Sequence, residues 1–379
     1  MSQTKIPDRV RTKLWVRAGG RCEFPSCPKV LWRDTLTGKE LNTAYIAHIV
    51  ADSPDGPRGD VELSPKLAKE FNNLMLLCDE HHTLIDTYVD EYPVALLQEY
   101  KRKHEEWIET LTATDPDMKT HLLFFMDNIG DRATPLPLKD ALVAAQPWYP
   151  AGSPMIIDLS QGPYRDGDEG YFQRRQEELG LLVEQRVRQR VRVDGITHLS
   201  IFALASIPLL IHFGHEVGDT IPSNVFQFHR NKGRWKWQEP TEDDAKYVIT
   251  LPSDAEVADS TTVVLNLSLS GTVQAAEIAA AMNEPYCTYK VTIPQPNREY
   301  LRAREQLDLF ASEMRSLLAL IRERHGHACC IHLFPAIPAP IAVRLGPVLL
   351  PKSDPTLYVY EHQSQRGGFR FALKVPEEK

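Results

Sequence analysis

The sequence predicts a protein of two parts, in which a small metal-stapled α+β domain precedes a larger α/β domain. The length of 379 residues exceeds what one hydrophobic core usually supports. Two closely spaced pairs of metal-binding side chains, Cys22 with Cys27 and Cys78 with His81, flank a segment that has short strand patterns. From residue 155 onward, strand, turn and helix patterns alternate, which is typical of a mostly parallel sheet.

Composition and charge indicate a soluble protein that does not coat nucleic acid. Hydrophobic residues make up 42% and charged residues 25%, ordinary values for a globular chain. There is no apolar run long enough for a membrane span and no apolar signal core in the first ten residues, so we expect a cytoplasmic protein. The net charge of −8 disfavours bulk attraction to phosphates. Residues 1–40, however, carry nine Lys or Arg against four acids, and this segment either contacts phosphates or is a solvated surface.

The domain boundaries follow from one helix and the proline-rich stretch after it. Apolar spacing predicts a short helix over 7–20 and an amphipathic helix over 93–111, and residues 112–117 (TATDPD) are typical of a linker. Five prolines then fall within residues 119–154. We expect the helix over 93–111 and its linker to couple the two domains. The predicted divisions are a first domain over 1–115, a connecting segment over 116–150 and a second domain over 151–379.

An internal repeat predicts that the second domain consists of two related α/β halves. Residues 205–211 (ASIPLLI) resemble residues 335–341 (PAIPAPI), and residues 226–229 (FQFH) resemble residues 358–361 (YVYE). The halves are assigned to 151–255 and 256–379. The predicted strands cover 155–159, 196–203, 263–269 and 329–334, and the predicted helices cover 170–191, 273–282 and 298–325.

The spacings Cys22-x4-Cys27 and Cys78-x2-His81 predict a structural zinc site. Thiolates and imidazole suit tetrahedral Zn²⁺, and two tight pairs joined by the fold between them make a closed site. Six cysteines in a chain of this length do not form a disulfide scaffold, and paired cysteines in a cytosolic protein more often bind metal. The alternative is a chance pairing of buried cysteines.

Three segments lie between and around these pairs: 45–49 (YIAHI), 71–78 (FNNLMLLC) and 81–86 (HHTLID). Their order resembles the HNH, or ββα-metal, nuclease family, which has a histidine on the first strand, an asparagine in the turn and a histidine on the following helix. The resemblance covers about residues 20–90. It implies a zinc-stapled ββα-metal (HNH) domain that acts as a metal-dependent endonuclease, a phosphodiester hydrolase acting on DNA.

The resemblance also assigns the catalytic roles. His48 would be the general base, since the pKa of imidazole lies near the operating pH. His82 would coordinate a catalytic Mg²⁺ at the scissile phosphate. Asn73 would orient His48 by bonding its backbone or its ring, or would approach the metal. Taken singly, a histidine on such a strand is often a core residue and an asparagine is often a turn former.

One position departs from the family pattern. Many members of the family carry His or Asp immediately before the base, as a second metal ligand, and here that position is Ala47. Asp86 or Asp52 could supply the missing ligand, and the sequence does not decide between them. Substrate phosphates could also hold part of the Mg²⁺ coordination shell.

The second domain resembles the SAVED domain, which consists of two fused CARF-like, Rossmann-like halves and binds cyclic oligonucleotides. The segments that carry the resemblance are 198–208, Gly214, Gly218, 226–230, 235–237, 332–338 and 349–352. An HNH domain joined to SAVED is the architecture of an effector in CBASS anti-phage defence. The resemblance implies that a cGAS-like nucleotidyltransferase makes a cyclic di- or trinucleotide, which binds SAVED. The protein then assembles from a homodimer into higher oligomers, and the HNH domains degrade double-stranded DNA with little sequence preference.

The residues that would bind the nucleotide follow predicted strands or combine cations with aromatic rings. Ligands of open α/β sheets bind beyond the carboxyl ends of the strands, where helix N-termini present N–H groups to phosphates. Aromatic faces next to cations suit nucleobases. Alternatively, the two tryptophans pack within a hairpin and the two serines cap helices. The candidates are Ser206, Arg230, Trp235, Trp237, Ser270, Gly271, Phe334, Pro335 and Lys352.

Two other functions compete with this one. A restriction-type HNH nuclease would read DNA through its C-terminal half and needs a basic stripe there. The only candidate stripe consists of Arg186, Arg188, Arg190 and Arg192, which could equally be a solvated helix face or an oligomer contact. A non-catalytic zinc-containing DNA-binding regulator would keep the zinc ligands but would not need His48 and His82.

Overall fold

The structure, a computed structural model, divides the chain into two compact units, Met1–Thr114 and Asp115–Lys379. The division falls near residue 115, at the predicted boundary. Among the described residues, no helix is long and apolar enough to cross a membrane. The structure describes residues 4–27, 29–34, 37–128, 138–162, 164, 167–229, 235, 237–239, 246–258, 260, 262–326, 329–350, 354–363 and 367–376.

The first unit is built on two antiparallel strands followed by a helix. β1 and β2 pair so that Ala44 lies opposite Cys78 and His48 lies opposite Leu74. All five residues of β2 are buried, because this strand is the centre of a small apolar core that includes Leu14, Leu31, Ile85 and Leu97. The elements are α1 (Asp8–Arg17), β1 (Ala44–His48), α2 (Leu63–Leu67), a 3-10 turn (Phe71–Asn73), β2 (Leu74–Cys78), α3 (Asp79–Thr87) and α4 (Val94–Thr112).

Local sequence explains where the helices of the first unit begin. Asp79 and Glu80 place two carboxylates in the first turn of α3, where they complement the helix dipole. α3 therefore starts directly after β2, and His81 and His82 lie in its first turns. α4 starts after Pro93 and buries Leu97 on one face, in agreement with the predicted amphipathic helix.

The second unit contains two mostly parallel sheets. The first half comprises β3 (Asp115–Met126), α5 (Leu138–Ala144), β4 (Trp148–Pro150), β5 (Met155–Asp158), α6 (Tyr171–Val183), a π-helical segment (Glu184–Arg188), α7 (Gln189–Asp194), β6 (Leu199–Leu204), α8 (Ile207–Val217) and β7 (Ser223–Val225). The second half comprises β8 (Val248–Thr250), α9 (Asp254–Ala258), β9 (Thr262–Ser268), α10 (Ala275–Ala281), β10 (Tyr286–Thr292), α11 (Arg304–His325), β11 (Cys330–Ala336), α12 (Ala339–Val348), β12 (Leu357–Gln363) and β13 (Gly368–Val375).

The two sheets share one strand order, as the predicted duplication requires. Parallel pairing runs β5-β3-β6-β7 in the first sheet and β10-β9-β11-β12 in the second. Each half adds strands at its edges: β4 pairs with the start of β3, while β8 and β13 pair antiparallel with β10 and β12. α8 and α12 follow equivalent strands, pack against each other and are buried along most of their length.

The predicted connecting segment over 116–150 is wrong, because its residues form part of the first sheet. β3 pairs with β6 on one side and with β5 on the other, so it is a central strand. A strand buried on both faces shows an apolar run, here Leu122–Met126, instead of the alternation that marks a half-exposed strand. The first half therefore starts at residue 115. The boundary between the halves lies before β8, which already belongs to the second sheet, and not at residue 255.

Side-chain caps shift the starts of two predicted helices. In α10 the Glu277 carboxylate accepts the backbone N–H of Gln274 at 2.9 Å, so the helix begins after Gln274. In α11 the Gln306 side-chain oxygen accepts the N–H groups of Arg302 and Ala303, at 2.8 and 3.0 Å. That helix therefore begins at Arg304 and not near residue 298.

Candidate functional site

The two predicted metal-binding pairs converge in the first unit. The four donor atoms of Cys22, Cys27, Cys78 and His81 all lie within 4.8 Å of one another. The His81 Nδ1 atom lies 3.1 Å from the Cys78 sulfur and 3.6 Å from the Cys22 sulfur. Phe24, between the first two cysteines, stacks on the His81 ring with centroids 4.0 Å apart and fixes its orientation. Three sulfurs and one imidazole nitrogen are a donor set that could hold a tetrahedral ion.

Burial changes the protonation of these groups in opposite directions. It raises the pKa of the Cys22 thiol and lowers the pKa of the His81 imidazole. The imidazole is therefore neutral and keeps a lone pair for a ligand. A thiol in this environment stays protonated unless a cation compensates the thiolate charge, which is what a bound metal ion does.

His48 lies at the end of β1, and a main-chain contact orients its ring. Its Nε2 atom is 2.9 Å from the carbonyl oxygen of Ala68, just after α2. A carbonyl oxygen only accepts hydrogen bonds, so Nε2 carries the proton of the neutral ring and Nδ1 keeps its lone pair. The histidine is half-buried, which leaves it within reach of a ligand.

Asn73 is buried and holds the chain that follows His48. Its side-chain oxygen accepts the Val50 N–H at 2.8 Å, and its amide donates to the carbonyl oxygens of Val50 and Leu67, at 2.9 and 3.2 Å. Its own carbonyl oxygen accepts the Ile49 N–H. The side chain thus bonds to neither the ring nor the backbone of His48 itself. Asn73 therefore holds the end of β1 through Ile49 and Val50, the two residues that follow His48.

His82 and Asp86 lie one turn apart on α3 and face the same side. The His82 Nε2 atom is 3.6 Å from one Asp86 carboxylate oxygen, and the two side chains are 30% and 32% exposed. The His82 ring also stacks on Tyr45 of β1, with centroids 5.0 Å apart. The Asp52 carboxylate accepts the backbone N–H of Thr4 at 3.3 Å.

Arg58, which no sequence motif marks, contacts both sides of this site. Its guanidinium donates to the carbonyl oxygens of Ile49 and Ile85 and to Asp86, at 2.8, 2.6 and 2.7 Å. The only sequence signal is an arginine between glycines in the turn-forming run Gly56-Pro57-Arg58-Gly59, which is weak by itself.

In the second unit, Ser206 lies where the sequence predicted, just before α8 and after β6. Ser206 is 7% exposed, and its hydroxyl has no hydrogen-bond partner among the described residues. It does not cap the helix through its side chain. Ser206 thus occupies the N-cap position of α8 without a side-chain bond to the helix, which leaves a buried donor at the carboxyl edge of the first sheet.

Ser270 and Gly271 follow β9 but do not cap α10, because Gln274 occupies the N-cap position. The backbone N–H of Ser270 donates instead to the carbonyl oxygen of Ala336, at 2.7 Å. Both residues stay at the carboxyl edge of the second sheet, as predicted.

Four predicted ligand residues are packed into the protein. Trp235 is 3% exposed and meets the Phe202 ring edge to face, so it packs in the core of the first half. Trp237 is half-buried against that core. Phe334 stacks on Tyr360 with centroids 4.4 Å apart, and Phe334 and Pro335 are buried within β11 because this strand continues to Ala336. Their burial disfavours direct ligand contact for Trp235, Phe334 and Pro335. Arg230 and Lys352 lie outside the described residues.

The arginine stripe of the second unit is engaged within the protein. Arg186 donates to the Ile156 carbonyl oxygen, Arg188 to the Glu216 carbonyl oxygen and Arg190 to the Ser153 carbonyl oxygen. Arg192 forms an ion pair with Glu184 at 2.5 Å. Because these four arginines make contacts within the protein, they do not present a row of free cations to DNA.

Residues 181–375 match the model of the SAVED family, the SMODS-associated sensor domain that is fused to various effectors. The match covers more than half of the chain, and the protein belongs to the SAVED family. This confirms the α/β sensor domain predicted for the C-terminal part. No curated protein matches the sequence.

Several solved Cap4 SAVED/CARF-domain containing receptors are similar to the chain. The receptor of Acinetobacter baumannii with the cyclic trinucleotide 3′3′3′-cAAA is 13% identical, with a TM-score of 0.43, over 77% of this chain and 61% of that chain. The same receptor with 2′3′3′-cAAA gives 13% identity and a TM-score of 0.41 over the same shares. The receptor of Moraxella osloensis is 12% identical, with a TM-score of 0.40, over 78% of this chain and 60% of that chain. The chain thus spans about three fifths of the length of these receptors.

Proposed function

We propose that the first unit is an HNH endonuclease that cleaves double-stranded DNA, and that the SAVED domain activates it when a cyclic di- or trinucleotide binds. The observation that carries the nuclease proposal is the placement of three side chains. His48 ends β1 with its Nδ1 lone pair free, and His82 and Asp86 share one side of α3. The first unit has the two antiparallel strands and following helix that this family would require.

In the proposed reaction His48 is the general base. Its Nδ1 atom takes a proton from the water that attacks the phosphodiester, while Nε2 keeps its own proton and donates it in a hydrogen bond to the Ala68 carbonyl oxygen. This contact selects the tautomer and stops the ring from turning. Asn73 supports the geometry by fixing Val50, which holds the end of β1 in place.

His82 and Asp86 are the proposed ligands of the catalytic Mg²⁺. Their donor atoms, a ring nitrogen and a carboxylate oxygen 3.6 Å apart, fit a shared divalent cation. When bound, this ion stabilises the charge on the scissile phosphate and the leaving oxygen. Asp86 then replaces the ligand that Ala47 cannot supply, and Asp52 is not needed.

The cluster of Cys22, Cys27, Cys78 and His81 is the proposed structural Zn²⁺ site. Four converging donors with a neutral imidazole fit this ion. Cys78 ends β2 and His81 lies in the first turn of α3, so an ion here would fix the strand to the helix that carries His82. We therefore assign zinc a role in holding the catalytic geometry and none in the chemistry.

The sensor proposal rests on membership of the SAVED family and on the carboxyl edges of the two parallel sheets. The Ser206 hydroxyl, for which the described residues offer no hydrogen-bond partner, lies at one such edge, beside the first turn of α8. A buried hydroxyl next to helical N–H groups would donate to a phosphate oxygen. Ser270 and Gly271 occupy the equivalent edge of the second sheet.

We place the protein in CBASS-type anti-phage defence, with the activator made by a cGAS-like nucleotidyltransferase and with homo-oligomerisation on activation. A nuclease without sequence preference must be held inactive in an uninfected cell, and a sensor domain on the same chain supplies that control. The intramolecular contacts of Arg186 to Arg192 remove the feature that would favour a restriction-type enzyme.

The test is plasmid degradation by the full-length protein with Mg²⁺ and a panel of cyclic di- and trinucleotides that includes both cAAA isomers. We expect one member of the panel to switch on cleavage. His48→Ala should then reduce cleavage by about 10²-fold or more, whereas Thr83→Ala, at an exposed position on α3, should leave it unchanged.

Each failure identifies the part that is wrong. Cleavage that needs His48 but ignores every cyclic nucleotide would contradict the sensor proposal and favour a restriction-type enzyme. Absence of cleavage with every member of the panel, in a protein that binds one of them, would contradict the nuclease proposal and favour a zinc-containing regulator.

A further inference from the structure

A buried arginine between β1 and α2 has a backbone conformation that side-chain-bearing residues rarely adopt. Arg58 has φ of 55°, and among described non-glycine residues only Ser26 shares a positive φ. Its side chain is 4% exposed. Gly59, the next residue, packs so closely on Pro54 that a Cβ there would overlap the Pro54 backbone. The tight turn therefore holds Arg58 in the left-handed region and directs its guanidinium inward.

The guanidinium connects the two elements that carry the proposed catalytic groups. Its Nε atom donates to the carbonyl oxygen of Ile49, the residue after His48, at 2.8 Å. Its Nη1 atom donates to the carbonyl oxygen of Ile85 on α3, at 2.6 Å. Strained backbone is retained where the surrounding structure imposes it, and such sites cluster where geometry must be exact. At Arg58 the strained backbone occurs together with hydrogen bonds that connect the end of β1 to α3.

The third contact selects the orientation of Asp86. The Arg58 Nη2 atom donates to the Asp86 Oδ1 atom at 2.7 Å, and Oδ2 is the oxygen that lies 3.6 Å from His82 Nε2. With one oxygen held, the carboxylate cannot rotate freely, and the other oxygen is presented beside the imidazole. A fixed guanidinium also offsets part of the carboxylate charge in a site that is two-thirds buried.

We infer that Arg58 is a positioning residue, which holds Asp86 as the second metal ligand in place of the one that Ala47 does not supply. This inference rests on the proposed nuclease function. Outer-sphere partners that orient a ligating carboxylate typically change metal affinity by about 10- to 100-fold when they are removed. In this role Arg58 acts only through Asp86 and the strand end, and is neither a metal ligand nor a catalytic residue.

The experiment measures Mn²⁺ binding to the full-length protein, without DNA or cyclic nucleotide, by electron paramagnetic resonance. The test variant is Arg58→Asn, since Asn tolerates left-handed backbone and removes the guanidinium. We expect the Mn²⁺ affinity to fall about tenfold or more, with zinc content and melting temperature recorded on the same samples. Arg102→Asn, which removes an exposed arginine of α4, is the matched control and should bind Mn²⁺ normally.

A double variant separates positioning from general stability. If Arg58 acts through Asp86, Arg58→Asn should weaken Mn²⁺ binding strongly in the wild-type background and hardly at all in Asp86→Asn. Arg58→Lys keeps a charge but not the planar fork, so it should give an intermediate affinity and serves as the second variant where Arg58→Asn does not fold.

The outcomes distinguish this inference from the nuclease proposal. Wild-type affinity in Arg58→Asn, while His82→Ala abolishes binding, would overturn the positioning role and leave the nuclease proposal intact. Equal losses from Arg58→Asn with and without Asp86 would also overturn it. A wild-type protein without His82-dependent Mn²⁺ binding would contradict the proposed metal site itself, and the positioning role with it.

Discussion

Gly214 and Gly346 are each the eighth residue of their helices, α8 and α12, and each lies against the backbone of the other helix. A Cβ on Gly214 would overlap the carbonyl of Val343, and a Cβ on Gly346 would overlap the carbonyl of Ile211. Val343 precedes Gly346 by three positions, and Ile211 precedes Gly214 by three, so the contact is reciprocal. The two related halves therefore meet at a local twofold, where only glycine permits the helices to approach so closely.

This contact predicts that Gly214→Ala destabilises the second unit by about 3 kcal/mol, because the helices must separate to admit one methyl group. Urea denaturation monitored by tryptophan fluorescence measures the change. Gly180→Ala is the control, since a Cβ at Gly180 in α6 meets nothing within 4 Å. That variant should gain up to about 1 kcal/mol from helix propensity. Equal effects of the two substitutions would contradict the close approach.

The zinc proposal predicts one Zn²⁺ per chain, lost in Cys78→Ser. Structural zinc sites contribute about 10 kcal/mol or more of apparent binding free energy, so the first unit should unfold without the ion. Elemental analysis and the melting curve measure both effects. Cys330→Ser is the matched control, because Cys330 lies on β11 and not in the cluster. Full zinc content in Cys78→Ser would contradict the assignment.

Asn73 should act on the structure and not on the metal. Asn73→Ala removes three side-chain hydrogen bonds and leaves the buried Val50 groups unpaired, which should cost about 1–3 kcal/mol of unfolding free energy. Cleavage should fall as the end of β1 loosens. The Mg²⁺ concentration that gives half-maximal cleavage should stay the same in this variant. An increase in that concentration would instead indicate that Asn73 approaches the metal.

Acid should destabilise the second unit through His198. Burial, followed by the charge of Arg304, lowers the pKa of His198 to about 4. The unfolded chain binds a proton near the ordinary histidine pKa of about 6.5, so between these values it holds more protons than the folded chain. Stability is therefore complete above pH 6.5 and falls by about 2–3 kcal/mol as the pH drops to 4. Urea denaturation at pH 7 and 4.5 measures the loss, which should be smaller in His198→Asn.

Motifs with fixed spacing were the part of the site that the sequence could predict. Cys22, Cys27, Cys78 and His81 were chosen from spacing alone, and their donor atoms converge in the structure. The family resemblance predicts His48 on a strand and His82 on the following helix, and the structure has β1 and α3 at these positions. The hydrogen-bond partners of Asn73 and Arg58 were not predictable from the sequence. Asn73 bonds Val50 and Leu67, and Arg58 reaches across the turn to α3, because these contacts depend on how distant segments pack.

The ligand residues of the second unit show the limit of sequence reasoning. Trp235 and Phe334 have the composition of a nucleobase-binding surface, but both are buried, and aromatic rings serve a core equally well. Ser206 has an ordinary capping sequence, but its hydroxyl has no hydrogen-bond partner in the part of the chain that the structure describes. Sequence shows which side chains are available, whereas burial and pairing show which of them remain free to bind.

The sequence by itself determined the two-domain division, the converging pairs Cys22 with Cys27 and Cys78 with His81, the candidate residues His48 and His82, and the repeated α/β pattern. These depend on local spacing and periodicity, which are properties of neighbouring residues. Only the tertiary structure decided that residues 115–126 are a central strand, that Asp86 lies beside His82, and that Gly214 meets α12. These three features depend on which distant segments pack against each other, and the whole chain determines that packing.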